Sequence, residues 1–485
     1  MLFNSIDFAI FLPIVFVLYW FVCKNNLKLQ NALLVAASYV FYGWWDWRFL
    51  SLIVFSTLVD YTIGLQLYKA KKERKRKVLL WTSILVNLGF LGFFKYYNFF
   101  VDNFVQAFRW FGQEIQPNSL DIILPVGISF YTFQTLSYTI DVYRKKLEPT
   151  KDILAFAAFV SFFPQLVAGP IERATNLLPQ FYTPRRFKFV NIQFGFIRIL
   201  WGLFKKVVIA DRVALLVNTV YNDPGAHGGL HYALATVLFA FQIYCDFSGY
   251  SDIAIGTARL FDFKLMENFR SPYFSRSLGE FWRRWHISLS TWFRDYVYIP
   301  LGGNRVSKGR LRINLLIVFI VSGFWHGAKW TFIIWGALHG LILIMENLLK
   351  VHKHRFIKGQ FKALDYVHIL FTFFITCIAW IFFRANNVNE AFEMVTGLLD
   401  ISQPLATTFR GRTLYLGAPL WEFVACFVLI ILLLTIESFI IKRKLSEMQL
   451  IKRPLPVRWA VLMILILGIL IFGSFEVNEF IYFQF

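Results

Sequence analysis

The sequence predicts an all-α protein built from many membrane-crossing helices, and three observations carry that expectation. Hydrophobic residues make up 57% of the 485-residue chain and charged ones only 16%, against roughly a quarter charged in ordinary soluble chains; mean hydropathy is +0.55. Apolar runs approaching the ~20 residues that one crossing needs recur along the whole chain. They include Phe8 to Val22, Val78 to Phe94, Phe371 to Phe383, Trp421 to Ile436 and Ala460 to Phe472. Basic residues gather in short stretches between these runs, as from Lys69 to Lys77, which is the positive-inside pattern of multi-pass proteins.

The first run carries Asp7, lacks a basic leader and is followed by Cys23-Lys24-Asn25-Asn26 rather than a small-residue cleavage site, so a retained span is expected. The stretches read as cytoplasmic are Lys24 with Lys28, Lys69 to Lys77, Arg144 to Lys146, Arg305 to Arg312, Lys350 to Arg355 and Lys442 to Lys444. Alternating crossings between them put the N-terminus outside. Residues 151–212 resist this scheme, because Arg173, Arg185, Arg186 and Lys188 would lie outside if Ile153 to Ala168 crossed fully. Pro164 and Gly169-Pro170 break that run, and a re-entrant or surface-lying segment is expected there. About eleven or twelve crossings remain, with re-entrant and interfacial helices between them. The last span, near Ala460 to Gly473, runs outward and leaves the tail 474–485 external, on the same side as the N-terminus. No repeat or Pro-rich linker divides the chain, so residues 1–485 are read as a single transmembrane domain.

Lys and Arg number 50 against 29 Asp and Glu, a formal charge of +21. Cytoplasmic loops account for that surplus, so membrane lipid is the expected partner and no nucleic acid is called for. The four cysteines form no CxxC pair, and neither a zinc site nor a disulfide framework is indicated. His227 with His231, and His352 with His354, lie in loops without a carboxylate at fixed spacing and are read as solvated, so no metal site is expected. Walker, GxGxxG, GxSxG and HExxH motifs are absent from the sequence, and with them the nucleotide, serine-hydrolase and metalloprotease classes they signal.

Chemistry is expected around His326. The apolar helix from Ile313 to His326 is only ~21 Å long at 1.5 Å per residue, short of a ~30 Å hydrocarbon core. Gly327 then interrupts it before a second helix opens at Lys329-Trp330. A histidine halted inside the membrane is costly and points to function, and histidine is the usual general base near neutral pH; a packing role is the competing reading, also open for His339. Residues Phe281 to Tyr296 interleave aromatics with arginines, as in an interfacial helix with snorkelling side chains. That reading leaves His286 unexplained. Arg270, Arg276, Arg283, Arg284 and Arg294 would suit a phosphorylated cytoplasmic ligand, although Glu280 with Arg284 at i+4 also reads as a structural pair. Asp246 and Asp252 interrupt an apolar segment and require partners, with a salt bridge and a catalytic role both open.

Several of these segments together resemble the membrane-bound O-acyltransferase family, in its bacterial branch of alginate O-acetyltransferase-like proteins. The resemblance rests on Phe281 to Trp292 (FWRRWHISLSTW), Phe293 to Tyr296, Leu301 to Arg305 and Gly323 to Gly327 (GFWHG). Further matches are Asp246 to Asp252, the opening Met1 to Ser5, Ala37 to Tyr42, Pro125 to Phe130 and Gly169 to Arg173. Ordered matches over nearly the whole chain make the resemblance specific for family. It implies O-acetyl transfer from a cytoplasmic thioester, acetyl-CoA, towards an external polysaccharide, with no permanently bound cofactor. It maps the family's catalytic histidine onto His326 and a second polar position onto His286. It also implies an external SGNH/GDSL-type partner, a bacterial inner-membrane location, and a tail in which Tyr482 carries the acyl group transiently, an aromatic tail that only anchors at the interface being the competing reading. A D-alanyl or longer-chain acyltransferase with a carrier-protein donor shares this scaffold, and a glycan or lipid flippase shares the broken helices and buried polar groups.

Overall fold

The computed structural model describes residues 1–485 except 117–118, 352–360, 401–414, 417, 444–446, 476–478 and 484–485. The described residues form helices and connecting turns with no strand, as the composition requires of a chain that satisfies its backbone inside lipid. They group into two compact units, residues 1–196 with 254–266 and residues 197–253 with 267–485.

The first unit holds α1 (Ile6–Val17), α2 (Leu27–Gly43), α3 (Leu50–Lys69), α4 (Glu73–Leu91), α5 (Tyr97–Trp110), α6 (Ile128–Tyr143), α7 (Ile153–Ser161), α8 (Phe163–Leu166) and α9 (Ala174–Leu177). Ser5 caps α1, its hydroxyl accepting the Phe8 N–H at 3.2 Å, which gives the opening motif a structural role. The run at Ile153 is short and breaks at Phe162, two residues before Pro164 where a break is expected, and Phe156, Phe159, Phe162 and Phe163 are fully buried. Arg185, one of the four awkward cations of this stretch, is buried and donates to the Tyr19 hydroxyl at 2.7 Å and to Asn31, with Phe263 at 4.6 Å beneath it. Glu172 accepts from Asn176 at 2.6 Å and from the Met266 N–H at 2.5 Å, so Gly169 to Arg173 is pinned by its own carboxylate. Asp60 is buried between α3, α4 and α6, where Ser83, Asn87 and Thr139 donate to it at 2.5, 2.8 and 3.1 Å.

The second unit is built from most of α10 (Phe189–Leu203), α11 (Asp211–Asn222), most of α12 (Gly229–Leu260), α13 (Leu278–Phe281), α14 (Ile287–Phe293), α15 (Lys308–His326), α16 (Trp330–Leu348), α17 (Ala363–Arg384), α18 (Val388–Gly397), α19 (Leu420–Arg443) and α20 (Leu455–Phe472). A wider π-turn, Phe204–Ala210, joins α10 to α11. Among the described residues seven helices are long and apolar enough to cross a membrane: Trp47–Lys69, Glu73–Trp110, Gly229–Leu260, Trp330–Leu348, Ala363–Arg384, Leu420–Arg443 and Leu455–Phe472. Ile6–Val22 and Ile153–Leu166 are apolar but shorter. This measure of length and apolarity, taken over the described residues, returns fewer helices than the eleven or twelve crossings expected from the sequence. Ile128–Tyr143 shows why: it is almost wholly buried and carries Gln134, Thr135, Thr139 and Asp141, because a helix enclosed by protein has no need of a lipid-compatible surface.

Candidate functional site

α15 ends where the sequence places its break. Its last residue is His326, and Gly327 follows with extended backbone at φ −162°. The helix starts five residues earlier than the apolar run, because Ser307 caps it and the exposed Lys308 and Arg310 occupy its first turn. α16 returns against it through a glycine contact. A Cβ on Gly323 would lie 2.2 Å from the Phe332 carbonyl oxygen, and one on Gly336 would lie 2.2 Å from that of Phe319, so the two backbones touch as in small-residue membrane helix pairs. The hairpin holds His326, 3% exposed, among aromatic rings: Trp325, Trp335 and Phe383 have centroids 5.0, 5.1 and 5.4 Å from the imidazole.

His286 lies beside it, with ring centroids 6.5 Å apart. The segment that carries it is not the continuous interfacial helix its aromatic and arginine spacing suggests. α13 stops at Phe281, α14 begins at Ile287, and His286 between them adopts left-handed backbone, φ +43°. Phe281, Trp285 and His286 are buried at 1% exposure or less, so these rings pack the core instead of marking the membrane surface. Asn268 holds the kink. Its backbone oxygen accepts the Ile287 N–H at 3.0 Å, and its side-chain Oδ1 accepts the Ser288 N–H at 3.3 Å and the Ser288 hydroxyl at 2.9 Å. Its amide Nδ2 donates to Ser251 at 3.2 Å. Since a backbone N–H can only donate, the atom facing His286 Nδ1 at 3.1 Å is the amide oxygen, and Nδ1 is the protonated nitrogen of the neutral ring. Nε2 is left as a buried acceptor with no hydrogen-bond partner among the described residues.

The third side is formed by the C-terminal segment. Phe480 and Ile481 are buried; Phe480 packs on Phe247 and Tyr250 with centroids 5.6 and 4.6 Å away. The Ile481 N–H donates to Asp246 Oδ2 at 2.7 Å. The ring of the next residue, Tyr482, lies 5.6 Å from His326, 4.6 Å from Phe247 and 6.3 Å from Phe383, with its hydroxyl enclosed. The three residues singled out from sequence, His286, His326 and Tyr482, thus share one cluster.

Comparison with known proteins decides the family. The family model described as "MBOAT, membrane-bound O-acyltransferase family" matches residues 38–390. The chain belongs to the membrane-bound O-acyltransferase family. It is 43% identical over 404 residues to the Pseudomonas aeruginosa protein named "Probable alginate O-acetylase AlgI", covering 82% of this chain and 75% of that one. It is 36% identical over 432 residues to a "Peptidoglycan O-acetyltransferase" of Helicobacter pylori, covering 83% and 80%. A "Teichoic acid D-alanyltransferase" of Streptococcus thermophilus is 31% identical over 252 residues, covering 49% and 60%. This chain is accordingly a multi-pass membrane O-acyltransferase, and the flippase alternative falls away.

The remaining candidates of this acyltransferase divide by burial. Arg284 is buried, and its guanidinium bonds Glu280 at 2.8 and 3.1 Å and the Arg270 carbonyl at 3.2 Å, which is the structural pair the i+4 spacing offers. Arg270, Arg283 and Arg294 are exposed or partly exposed; Arg270 pairs with Glu267, and Arg294 with Asp295 at 2.7 Å. Arg276 bonds Glu280 and Asp365. His339 is enclosed by Trp282, Trp335 and Phe281 and receives the Trp282 indole N–H at 3.4 Å, the environment of a packing residue. His227 bonds the Thr219 carbonyl at 3.2 Å, and His352 and His354 lie outside the described residues. Asp252 is tied to Arg198 and Lys205 at 2.6 Å each, and Asp246 to Lys206 at 2.9 Å, so both aspartates meet cations. Sequence reasoning missed Asn268, Lys206 and Asp211. The two lysines inside the apolar stretch Phe204–Ala210 were a readable signal, whereas Asn268 offered none.

Proposed function

We propose that this acyltransferase moves an acetyl group from cytoplasmic acetyl-CoA across the bacterial inner membrane towards an extracytoplasmic polysaccharide. The observation that carries this reading is the cluster of the buried His286 and His326 with Tyr482, whose hydroxyl is enclosed, the His286 and Tyr482 centroids lying 6.5 and 5.6 Å from that of His326. The names of the alginate and peptidoglycan relatives favour acetyl over longer groups and a polymer acceptor. In the proposed step, His326 takes the proton of an acceptor hydroxyl as its oxygen attacks the thioester carbonyl carbon. The C–S bond then breaks, and the imidazolium returns the proton to the departing thiolate. The products are an acetyl ester and free CoA thiol. Tyr482 is the nearest hydroxyl-bearing ring of the cluster and the first acceptor in this scheme. An external SGNH/GDSL-type partner, implied by the family resemblance, carries the group on to polymer. The exposed Arg270, Arg283 and Arg294 are proposed to meet the donor's phosphates, a role suited to guanidinium forks.

The test uses purified protein and acetyl-CoA labelled in the acetyl group. Wild type should acquire label, and His326→Ala should lower transfer by about 10²–10⁴-fold, the usual contribution of a general base, while still inserting into membranes. Label gained instead from a D-alanyl carrier-protein thioester would move the chain to the D-alanyl branch. For the tail, Tyr482→Phe should abolish polymer acetylation in cells, and a variant that still acetylates polymer rejects the carrier role.

A further inference from the structure

The buried cluster around Lys206 is unused by the chemistry above, yet it touches the tail at both ends. Lys206 Nζ lies 2.7 Å from Asp211 and 2.9 Å from Asp246, and all three side chains are buried. Two carboxylates against one ammonium leave a formal negative charge in excess. The second oxygen of Asp246 is met by the Ile481 N–H at 2.7 Å, and a backbone donor to an ionised carboxylate makes one of the stronger neutral–charged hydrogen bonds. The cation also lies 5.5 Å from the Tyr250 ring, on which Phe480 packs. Upstream, the Ser474 N–H bonds the Val207 carbonyl at 2.8 Å, and Arg212 donates to the Phe472 carbonyl at 2.9 Å. Val207 belongs to the same π-turn as Lys206, and Arg212 follows Asp211. The turn packs closely on α12, since a Cβ on Gly249 would lie 3.2 Å from the Lys206 backbone nitrogen.

We infer that Asp246, oriented by Lys206 and Asp211, is the seat of the C-terminal segment, a positioning residue that sets Tyr482 against His326. Because the bond is made to a backbone N–H, the seat reads the path of the tail rather than the side chain at 481. The catalytic meaning of the seat rests on the role given to Tyr482 above; its existence does not. The most selective variant is Ile481→Pro, which deletes the N–H donor and leaves Asp246 and its ion pairs in place. Ile481→Val keeps the donor and serves as control.

The seat is read by a cysteine placed at Phe483 in the full-length protein in membranes, with maleimide labelling of the tail peptide followed by mass spectrometry. Ile481→Pro should raise the labelling rate about tenfold or more, and Ile481→Val should leave it unchanged. Asp246→Ala should match Ile481→Pro, and the double variant should label no faster than either single one, since both remove the same contact. In the chain with native Phe483, Ile481→Pro should lower kcat for acetyl transfer with the KM for donor unchanged. A labelling rate in Ile481→Pro equal to that of wild type overturns the seat. Labelling never involves acetyl transfer, so a seat that behaves as expected in a protein that takes no acetyl group would overturn the proposed function and leave the seat standing.

Discussion

Asn268 determines which nitrogen of His286 carries its proton. With three donors converging on Oδ1, replacement by Leu would strand buried donors at about 1–3 kcal/mol each and release the left-handed turn at His286. Asn268→Leu should therefore lower the acetyl-transfer rate about tenfold or more and lower thermal stability in detergent. Asn268→Asp, which keeps acceptor oxygens in place, should recover most of both. Equal rates for Leu and wild type would remove Asn268 from the account. The residue scale is also where sequence reading is most uneven. His326 and His286 stood out because an ionisable ring in an apolar run is costly, and Tyr482 through family resemblance. Asn268 and Asp60 owe their roles to partners that only the fold brings near: Asp60 meets Thr139, 79 residues away, and no local pattern encodes that meeting.

At the scale of elements, the α15–α16 hairpin depends on two backbones in contact at Gly323 and Gly336. An added methyl there meets main-chain carbonyls, which cannot rotate aside as a side chain can, and overpacking of this kind costs about 1–3 kcal/mol. Gly323→Ala or Gly336→Ala should thus lower the unfolding midpoint in detergent and weaken transfer by displacing His326. Gly309→Ala, on the same helix with open space around it, should change neither; a wild-type midpoint in the first two variants would show that the helices separate freely. The break after His326 was legible because Gly327 ends the apolar run. The kink at His286 was not. Its aromatics and arginines recur at helical spacing, and the left-handed residue that breaks the helix is held by Asn268 from outside the segment.

For the molecule as a whole, composition and loop charges were enough to read a multi-pass helical protein, and ordered motifs were enough to read its family. The number of crossings was less legible. Apolar runs mark helices that face lipid, such as Leu455–Phe472, which has no buried residue. Helices enclosed by protein, such as Ile128–Tyr143, lack that surface, and their polar residues bond neighbouring helices, as Thr139 bonds Asp60 and Gln134 the Phe159 carbonyl. The sides of the membrane are an expectation read from loop charges, and the proposal that donor and acceptor meet across the bilayer at His326 rests on it. The direct measurement uses sealed vesicles of known orientation, with acetyl-labelled CoA on one side and label on the C-terminal peptide as readout. Donor on the cytoplasmic face should label wild type and leave His326→Ala unlabelled, and donor confined to the opposite face should label neither. Equal labelling from both faces, or labelling that survives in His326→Ala, would contradict the account.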